Sequence, residues 1–414
     1  MRLFEILLFL LCVTDAAARI RYASDRPIWT TAIPLVSFLL AISHVAGEGT
    51  RWQMIPVYLV VVSSFTMLLA HSFRESELSF GGDQLSRSVG ILIIGLSVGS
   101  LVSATALPVF DLPAPTGHYK VGTVDGEMTE SGIVLRFQYP SDNAQGERAS
   151  YAADNFDTHL IYLADRFGLP PGWLQHLALV RSFSYPGAAL SEELPQYRIL
   201  IACPDVGIPA TQSTILAEEL ASRGFVVISI PNPSQIDSID SSAVPEIIIT
   251  WLETVDRGDR LGWLAERLNF GTVGIYGLGN AGQAAVQASI NGSFRAGASV
   301  GAQPPVNEPT VPFMYIHPAD YPAVIPDNVN HTTYVLTIAG AGVDNFGDNA
   351  FISPMMPALG KFGSIAPVRA SLIVGDYLGA FFNKHLTRGT VEPILDDDLQ
   401  KYLEVTFLVH EAKD

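Results

Sequence analysis

The first 110 residues contain four long apolar stretches, at residues 3–18, 28–46, 52–70 and 89–110. A helix needs roughly 20 apolar residues to cross a bilayer, and the last three stretches reach about that length. The first is shorter and carries Glu5 and Asp15. Its Asp-Ala-Ala-Ala end also fits a signal-peptide cleavage site. We favour a retained helix, because further apolar stretches follow at once. The sequence therefore predicts an integral membrane protein with about four spans in residues 1–110.

Arginines between the predicted spans indicate an orientation. The first connection holds three arginines, including Arg26, and the third holds two, including Arg74, whereas the second holds only Arg51. Arginines are enriched in cytoplasmic loops, so we expect the first and third connections in the cytoplasm. The large C-terminal part should then lie on the exocytoplasmic side, which is periplasmic or extracellular. His44, near the end of the second span, is expected only to reach the membrane interface.

Charge separates the two parts of the chain. Residues 1–110 have as many arginines as acids, so the remaining residues carry the whole net charge of −17. This predicts a boundary near Phe110, followed by a proline-rich linker at residues 111–118. An acidic domain repels phosphate backbones, so nucleic acid is not an expected partner. Cys12 and Cys203 lie in different parts of the chain, which excludes a disulfide framework and disfavours a structural metal site.

Residues 119–414 alternate short β-branched runs with helical periods. This alternation predicts an α/β fold with a mostly parallel sheet covered by helices. The predicted buried strands are residues 197–203, 224–230, 272–276, 296–300, 313–317 and 334–338. The predicted helices are residues 212–222, 246–255, 281–290 and 377–386. Residues 120–124 and 133–139 should form an antiparallel lead-in at the sheet edge.

An insertion near residues 144–196 is predicted to form a helical cap. Phe156, Leu160, Leu163 and Phe167 recur at helical spacing, which indicates an amphipathic helix at residues 154–167. A second helix is expected around residues 173–179. Two helices placed before a core strand are typical of a cap over a sheet.

A glycine-rich segment, Gly274-Ile-Tyr-Gly-Leu-Gly-Asn-Ala-Gly282, connects a predicted strand directly to a helix. One interpretation is the dinucleotide-binding pattern Gly277-x-Gly279-x-x-Gly282, whose glycines let a pyrophosphate approach a helix N-terminus. That pattern should open its domain and be followed, about 20 residues later, by an acid that holds the ribose. Here two strand–helix units precede it, and the next strand ends Ser299-Val-Gly-Ala without a carboxylate. We disfavour this interpretation.

The same turn is where an α/β hydrolase carries its nucleophile, in the pattern Gly-x-Ser-x-Gly. The chain resembles the platelet-activating factor acetylhydrolase-like (dienelactone hydrolase-type) branch of that fold, and in particular bacterial members with an N-terminal membrane region. The segments that carry the resemblance run nearly end to end, at residues 1–8, 49–56, 122–125, 177–182 and 211–227.

Carried onto this chain, the family's catalytic positions have lost their chemistry. The resemblance places the serine at Gly279, the acid at Gly301 and the histidine at Val343. The family's Ser-His-Gly oxyanion loop corresponds to Cys203-Pro204-Asp205. The positions of the former oxyanion site are Pro204, Asp205, Val206 and Asn280. Acyl transfer needs a nucleophile, a base and donors to the oxyanion, so no catalytic residue is expected at these positions.

Other polar groups follow the predicted strands and offer substitutes. Cys203 could act as a nucleophile, although a buried packing role is the commoner one for such a cysteine. Asp205 and Asp344 could form a paired-carboxylate or weak cation site, although such residues more often cap turns. His317 precedes a proline at a strand end, where a structural role is the commoner one.

The leading hypothesis is therefore a membrane-anchored, catalytically inactive α/β-hydrolase-fold protein. It would act as an accessory or scaffold subunit of a membrane complex, or bind a lipid or other apolar ligand, with membrane lipids and other membrane-protein subunits as partners. The first alternative is an active lipid or carboxylic ester hydrolase that uses non-standard residues. The second is the dinucleotide-binding protein. The leading hypothesis implies neither a cofactor nor a metal.

Overall fold

A computed structural model describes residues 2–22, 27–72, 83–128, 131–152, 156–205, 207–302, 308–321, 329–358, 360, 362–387, 389–396 and 401–412. The chain divides into two compact units. The helical unit comprises Met1–Val109 together with Pro170–Leu179. The sheet unit comprises Phe110–Leu169 and Val180–Asp414.

The helical unit is built from four long helices. They are α1 (Leu3–Tyr22), α2 (Ala32–Gly47), α3 (Ile55–Ser72) and α4 (Asp83–Ala106). Within the described part of the chain, three segments are long and apolar enough to cross a membrane: Ile28–Gly47, Trp52–Ala70 and Gln84–Ala106. These correspond to the last three predicted spans. The connections that hold Arg26 and Arg74 lie outside the described residues.

Helix α1 differs from the other three helices because it carries buried charges. Leu8 and Ala16 are fully buried in the apolar core of the unit, and Glu5, Asp15 and Arg19 are buried as well. Asp15 and Arg19 form an ion pair at 2.8 Å. The segment predicted as a first span is therefore a helix of 20 residues, but it is not among the three that qualify by length and composition.

The sheet unit contains a ten-stranded, mostly parallel sheet. The strands are β1 (Lys120–Met128), β2 (Ile133–Ser141), β3 (Ser184–Pro186), β4 (Tyr197–Ala202), β5 (Phe225–Ser229), β6 (Leu268–Leu278), β7 (Ala296–Val300), β8 (Phe313–Pro318), β9 (Thr333–Ile338) and β10 (Val405–His410). Their order is β10-β9-β8-β7-β6-β4-β5-β2-β1-β3. Strands β4 to β9 are mutually parallel, β2 pairs antiparallel with β1 and β5, and β10 pairs antiparallel with β9.

The predicted α/β class and mostly parallel sheet are confirmed. The six predicted buried strands correspond to β4 to β9, and the predicted antiparallel lead-in corresponds to β1 and β2. Two edge strands were not predicted. Strand β3 has only three residues, and β10 alternates buried and more exposed positions, so neither forms a continuous apolar run.

Six helices accompany the sheet: α5 (Phe156–Phe167), α6 (Thr214–Ser222), α7 (Val244–Leu252), α8 (Gly262–Ala265), α9 (Ala281–Asn291) and α10 (Pro367–Leu386). The apolar residues form two cores. Helices α6 and α10 contribute to one, and α7, α8 and α9 contribute to the other. Side chains alternate along each strand, so the central strands supply both cores and position the loops at the sheet's carboxyl edge.

Two helical segments lie within the predicted cap insertion. Helix α5 lies within the predicted insertion and has the expected apolar face. The second predicted cap helix is instead a 3₁₀ helix, Pro171–Leu179, within the segment that belongs to the helical unit. There Trp173 stacks against Trp52 with ring centroids 5.8 Å apart, and Trp52 Nε1 donates to the Trp173 carbonyl at 3.0 Å. These contacts connect the segment to the rest of the helical unit.

Candidate functional site at the carboxyl edge of the sheet

The chain changes direction in the sheet between β4 and β6. After β4 it forms β5 on one side, and it then crosses back to form β6 on the other side of β4. In open α/β sheets, ligands bind outside the carboxyl ends of the strands at such a switch point. Cys203 follows β4 and Gly279 follows β6, and the Cys203 N–H donates to the Tyr276 carbonyl at 2.7 Å. The segments on both sides of the switch are therefore adjacent.

Gly279 occupies a sharp turn with room for a side chain. It lies between β6 and α9, its φ is 57°, and its N–H donates to the Val300 carbonyl at 2.8 Å. A Cβ built on Gly279 would have no atom within 4 Å. The turn thus has the positive φ and the open space of a nucleophile elbow, but it carries no side chain.

The neighbouring glycines are required by close packing. A Cβ on Gly277 would overlap the Ala281 carbonyl, and a Cβ on Gly282 would overlap Ser299 Oγ and the Ala302 side chain. The pattern Gly277-x-Gly279-x-x-Gly282 therefore has a packing explanation within the turn and the adjacent strand β7. Close packing at the first and third glycines is expected for either interpretation, so the missing carboxylate after strand β7 remains the argument against dinucleotide binding.

The two other positions of the predicted triad lie next to this turn. Gly301 directly follows β7 with a φ of 71°, and Val343 begins a short 3₁₀ helix, Val343–Phe346. A Cβ on Gly301 would lie 3.7 Å from the Val343 carbonyl oxygen and 2.9 Å from the Phe346 ring. The structure thus brings Gly279, Gly301 and Val343 together, and Phe346 fills the space where a side chain on Gly301 would project.

The loop predicted to correspond to an oxyanion loop follows β4. Cys203 and Pro204 are buried and Asp205 is half-buried, whereas Val206 lies outside the described residues. Asn280 is exposed and precedes the first residue of α9. A carboxylate beside a developing oxyanion would repel it, so Asp205 makes this loop unsuited to stabilising acyl transfer.

The proposed substitute groups are poorly placed for chemistry. Burial raises the pKa of the Cys203 thiol far above its usual range, so the nucleophilic thiolate is disfavoured. Burial lowers the pKa of His317, whose Nδ1 lies 3.2 Å from the Ala302 carbonyl. The Asp344 carboxylate forms an ion pair with Arg166 of α5 at 2.7 Å, which ties the cap helix to the loop after β9.

A small cavity remains at the switch point, with a volume of about 50 Å³. Gln212 and Tyr276 line it, and both are buried. Among the described residues, neither polar atom of the Gln212 side chain nor the Tyr276 hydroxyl has a hydrogen-bond partner. A water molecule needs about 10–15 Å³ of such space, so the cavity has room for a few waters.

Two carboxyl groups, Asp348 and Glu218, are buried behind this edge. Asp348 accepts hydrogen bonds from the Ile215 N–H at 3.3 Å and 3.4 Å, and Glu218 accepts from Ser184 Oγ at 2.5 Å. Burial raises the pKa of both carboxyls, and their mutual repulsion raises that of Asp348 further. Their burial depends on packing between α6 and the loop after β9, which the local sequence does not show.

The helical unit has its own buried ionic cluster, which was also missed. Arg51 binds both Glu5 oxygens, at 2.7 Å and 2.6 Å, and Arg2 binds Glu5 at 2.8 Å. His44 is fully buried within the protein, within 3.7 Å of Glu5 and 3.5 Å of Glu48, so it belongs to this cluster. Acidic residues inside apolar stretches were the available signal.

Glu5, His44 and Glu48 are spaced closely enough to hold a metal ion. The two arginines already balance the two carboxylates, however, so a divalent cation would add uncompensated charge to a buried site. The cluster fits a complete ion-pair network better than a metal centre.

Comparisons with known proteins identify the fold. The chain matches no known family model and no curated protein sequence. Among the solved structures that it matches is a ferulic acid esterase from Streptomyces cinnamoneus, with a TM-score of 0.53 and 20% identity. The match covers 73% of this chain and 100% of the esterase chain. The chain has the α/β-hydrolase fold. At this identity the likeness concerns architecture, and the activity must be argued from the site.

Proposed function

We propose that this chain is a membrane-anchored α/β-hydrolase-fold protein that lacks a working triad and serves as an accessory or scaffold subunit of a membrane complex. The fold is retained, including the turn between β6 and α9, while the side chains that acyl transfer needs are missing from the positions that the turn brings together. Retention of a fold without its chemistry is expected when selection acts on binding.

One observation carries this proposal. Gly279 has the backbone conformation and the free space of a nucleophile position, with φ 57° and no atom within 4 Å of a built Cβ, but it provides no reactive atom. Val343 offers no base next to it, and Phe346 occupies the space beside Gly301. Loss of a serine nucleophile alone lowers turnover by about 10⁶-fold in a comparable hydrolase.

The size of the edge cavity disfavours a lipid bound at the switch point. Pockets for drug-sized ligands measure about 300–1,000 Å³, whereas the cavity at the switch point measures about 50 Å³. The helical unit presents large apolar side chains outward, which suits contact with lipid or with another membrane-protein subunit. Examples are Leu10, Leu39, Leu59, Ile91 and Val102.

The absence of hydrolysis is tested with detergent-purified protein, a fluorophosphonate probe for serine hydrolases and short-chain p-nitrophenyl esters. We expect neither labelling nor turnover above that of heat-denatured protein. Labelling that one serine-to-alanine substitution abolishes would overturn the proposal. If Cys203→Ala, Asp205→Asn or Asp344→Asn abolished an ester activity, the alternative of a non-standard hydrolase would replace it.

The scaffold role is tested by gentle solubilisation from the native membrane, followed by native mass spectrometry. We expect a defined complex in which this chain is accompanied by at least one other integral membrane protein at fixed stoichiometry. A monomer, recovered both in mild detergent and in lipid nanodiscs, would contradict the scaffold role.

A further inference from the structure

A second, much larger concavity lies in the sheet unit along helix α7 and the C-terminal end of α9. Its volume is about 750 Å³, within the range of small-molecule pockets. We call it the α7–α9 groove. Met128, Ala288 and Phe294 are buried in its lining, and Trp251 is half-buried there. None of these residues belongs to the candidate site at the carboxyl edge of the sheet, so the groove is a separate feature of the fold.

The charged residues in the described lining of the groove are both acidic. Asp240 and Glu246 line it, and its described lining contains no lysine, arginine or histidine. Asp240 accepts hydrogen bonds from the Ser242 N–H and Oγ, both at 2.9 Å, and these bonds lower the pKa of Asp240. A negative potential without a basic partner attracts cations, and the acidic surface around it adds to this attraction.

Glu246 accepts a hydrogen bond from the Ser293 N–H at 3.4 Å and lies close to Gly292. A Cβ on Gly292 would lie 2.9 Å from Glu246 Oε2 and would overlap the Phe294 ring. Gly292 therefore allows the carboxylate and the aromatic ring to approach each other at the end of α9. The result is a preformed combination of apolar floor, indole ring and carboxylate.

We propose that the α7–α9 groove binds a small organic ammonium ion with an apolar body. The ammonium group would lie between Glu246 and the face of Trp251, because a tryptophan face attracts cations and a carboxylate neutralises them. The apolar body would cover Met128 and Phe294. The buried apolar floor distinguishes this site from an acidic surface patch, which would attract any cation without saturating.

The test uses the full chain in non-ionic detergent and three six-carbon probes: hexyltrimethylammonium, hexanesulfonate and hexanol. Binding is measured by isothermal titration calorimetry and by Trp fluorescence. We expect saturable 1:1 binding of hexyltrimethylammonium and at least tenfold weaker binding of the other two. Equal affinity for hexanol and the cation, or no saturable binding of the cation, would overturn the proposal.

Three single substitutions test whether the cation binds in the α7–α9 groove. Glu246→Gln keeps the shape of the side chain and should weaken the cation at least tenfold. Glu253→Gln, on an exposed residue just after the same helix and outside the groove lining, should leave the affinity unchanged. Thr250→Arg places a positive charge on an exposed groove residue and should abolish cation binding while the melting temperature is retained. Equal weakening by Glu246→Gln and Glu253→Gln would indicate a general acidic surface and contradict the site. This test does not depend on the proposed loss of hydrolysis.

Discussion

At the scale of single residues, the turn between β6 and α9 shows how one glycine can separate fold from chemistry. A residue other than glycine held at positive φ costs about 1–3 kcal/mol, which active enzymes offset elsewhere in the structure. Gly279 adopts its φ of 57° without that cost. The turn can therefore keep its geometry with no strain at the position that a nucleophile would occupy.

We predict that Gly279→Ser folds, loses about 1–3 kcal/mol of stability because of its positive φ, and remains inactive. The new Cβ meets no atom within 4 Å, and no imidazole lies at Val343 to activate the hydroxyl. Thermal unfolding and fluorophosphonate labelling measure the two outcomes. Gly277→Ser is the contrasting variant, because its Cβ would overlap the Ala281 carbonyl and should destabilise more strongly. Rapid labelling of Gly279→Ser would reveal a base near the turn and contradict the proposed function.

The buried carboxyl of Glu218 makes a pH-dependent prediction. Its pKa is raised in the folded protein by burial, so the folded state binds its proton more tightly than the unfolded state does. The contribution of Glu218 to the free energy of unfolding is therefore fully present below its ordinary pKa. It is lost as pH rises through the raised pKa of the folded protein. We expect Glu218→Gln to flatten the fall in melting temperature as pH rises above the ordinary glutamate pKa of 4.5, because the amide oxygen can still accept from Ser184 Oγ.

The matched control is Glu253→Gln, on an exposed residue whose replacement should leave the pH profile unchanged. Parallel profiles for the wild type and Glu218→Gln would show that Glu218 does not contribute to the pH dependence of unfolding.

At the scale of elements, the strands that form the centre of the sheet were predictable and the polar networks were not. Strand β7 is buried at every position, so its β-branched and small residues gave a continuous apolar signal. Strand β10 alternates and depends on pairing with β9, which only the fold supplies. In the same way, Glu5 and Arg51 are 46 residues apart, and nothing local indicates that they form one ion pair.

The same distinction between local sequence patterns and long-range contacts applies to the candidate site. The resemblance assigns the predicted catalytic positions to the turn after β6 and to the loops after β7 and β9. The sequence could not predict that Phe346 fills the space beside Gly301, or that Arg166 of α5 binds Asp344. Both contacts join segments that are far apart in the chain, so their geometry depends on the completed tertiary structure.

The ionic cluster that joins the helix ends supports a third prediction. Glu5→Gln leaves the buried Arg51 without its carboxylate, and removing one partner of a buried ion pair costs about 3–5 kcal/mol. Glu48→Gln should cost less, because the side chain of Glu48 is 18% exposed. Unfolding is followed with a thiol-reactive dye in a Cys203→Ala background, so that the buried Cys12 reports on the helical unit. Equal melting temperatures for the two variants would contradict a buried network centred on Glu5.

At the scale of the whole molecule, the two units differ in hydropathy and in net charge. The helical unit contains three segments that can cross a membrane, while the residues after Phe110 carry the net negative charge of the chain. Within the helical unit, Arg2 and Glu5 at the start of α1 meet Glu48 after α2 and Arg51 before α3. Arg51 also donates to the Ala104 and Leu107 carbonyls at the end of α4. The start of α1, the end of α2, the start of α3 and the end of α4 therefore meet at this ionic cluster.

The end of the helical unit that contains this cluster predicts the membrane topology. The chain leaves α4 there and continues into the acidic part, and the sparsely basic connection after α2 lies there too, so we expect this end on the exocytoplasmic side. In a bacterial host, alkaline phosphatase fused after Asp414 should be active and green fluorescent protein fused there should be dark. Fusions after residue 78, in the third connection, should give the reverse. A cleaved first segment would leave three spans and reverse both patterns, and fluorescence from the Asp414 fusion would therefore contradict both the retained first helix and the proposed orientation.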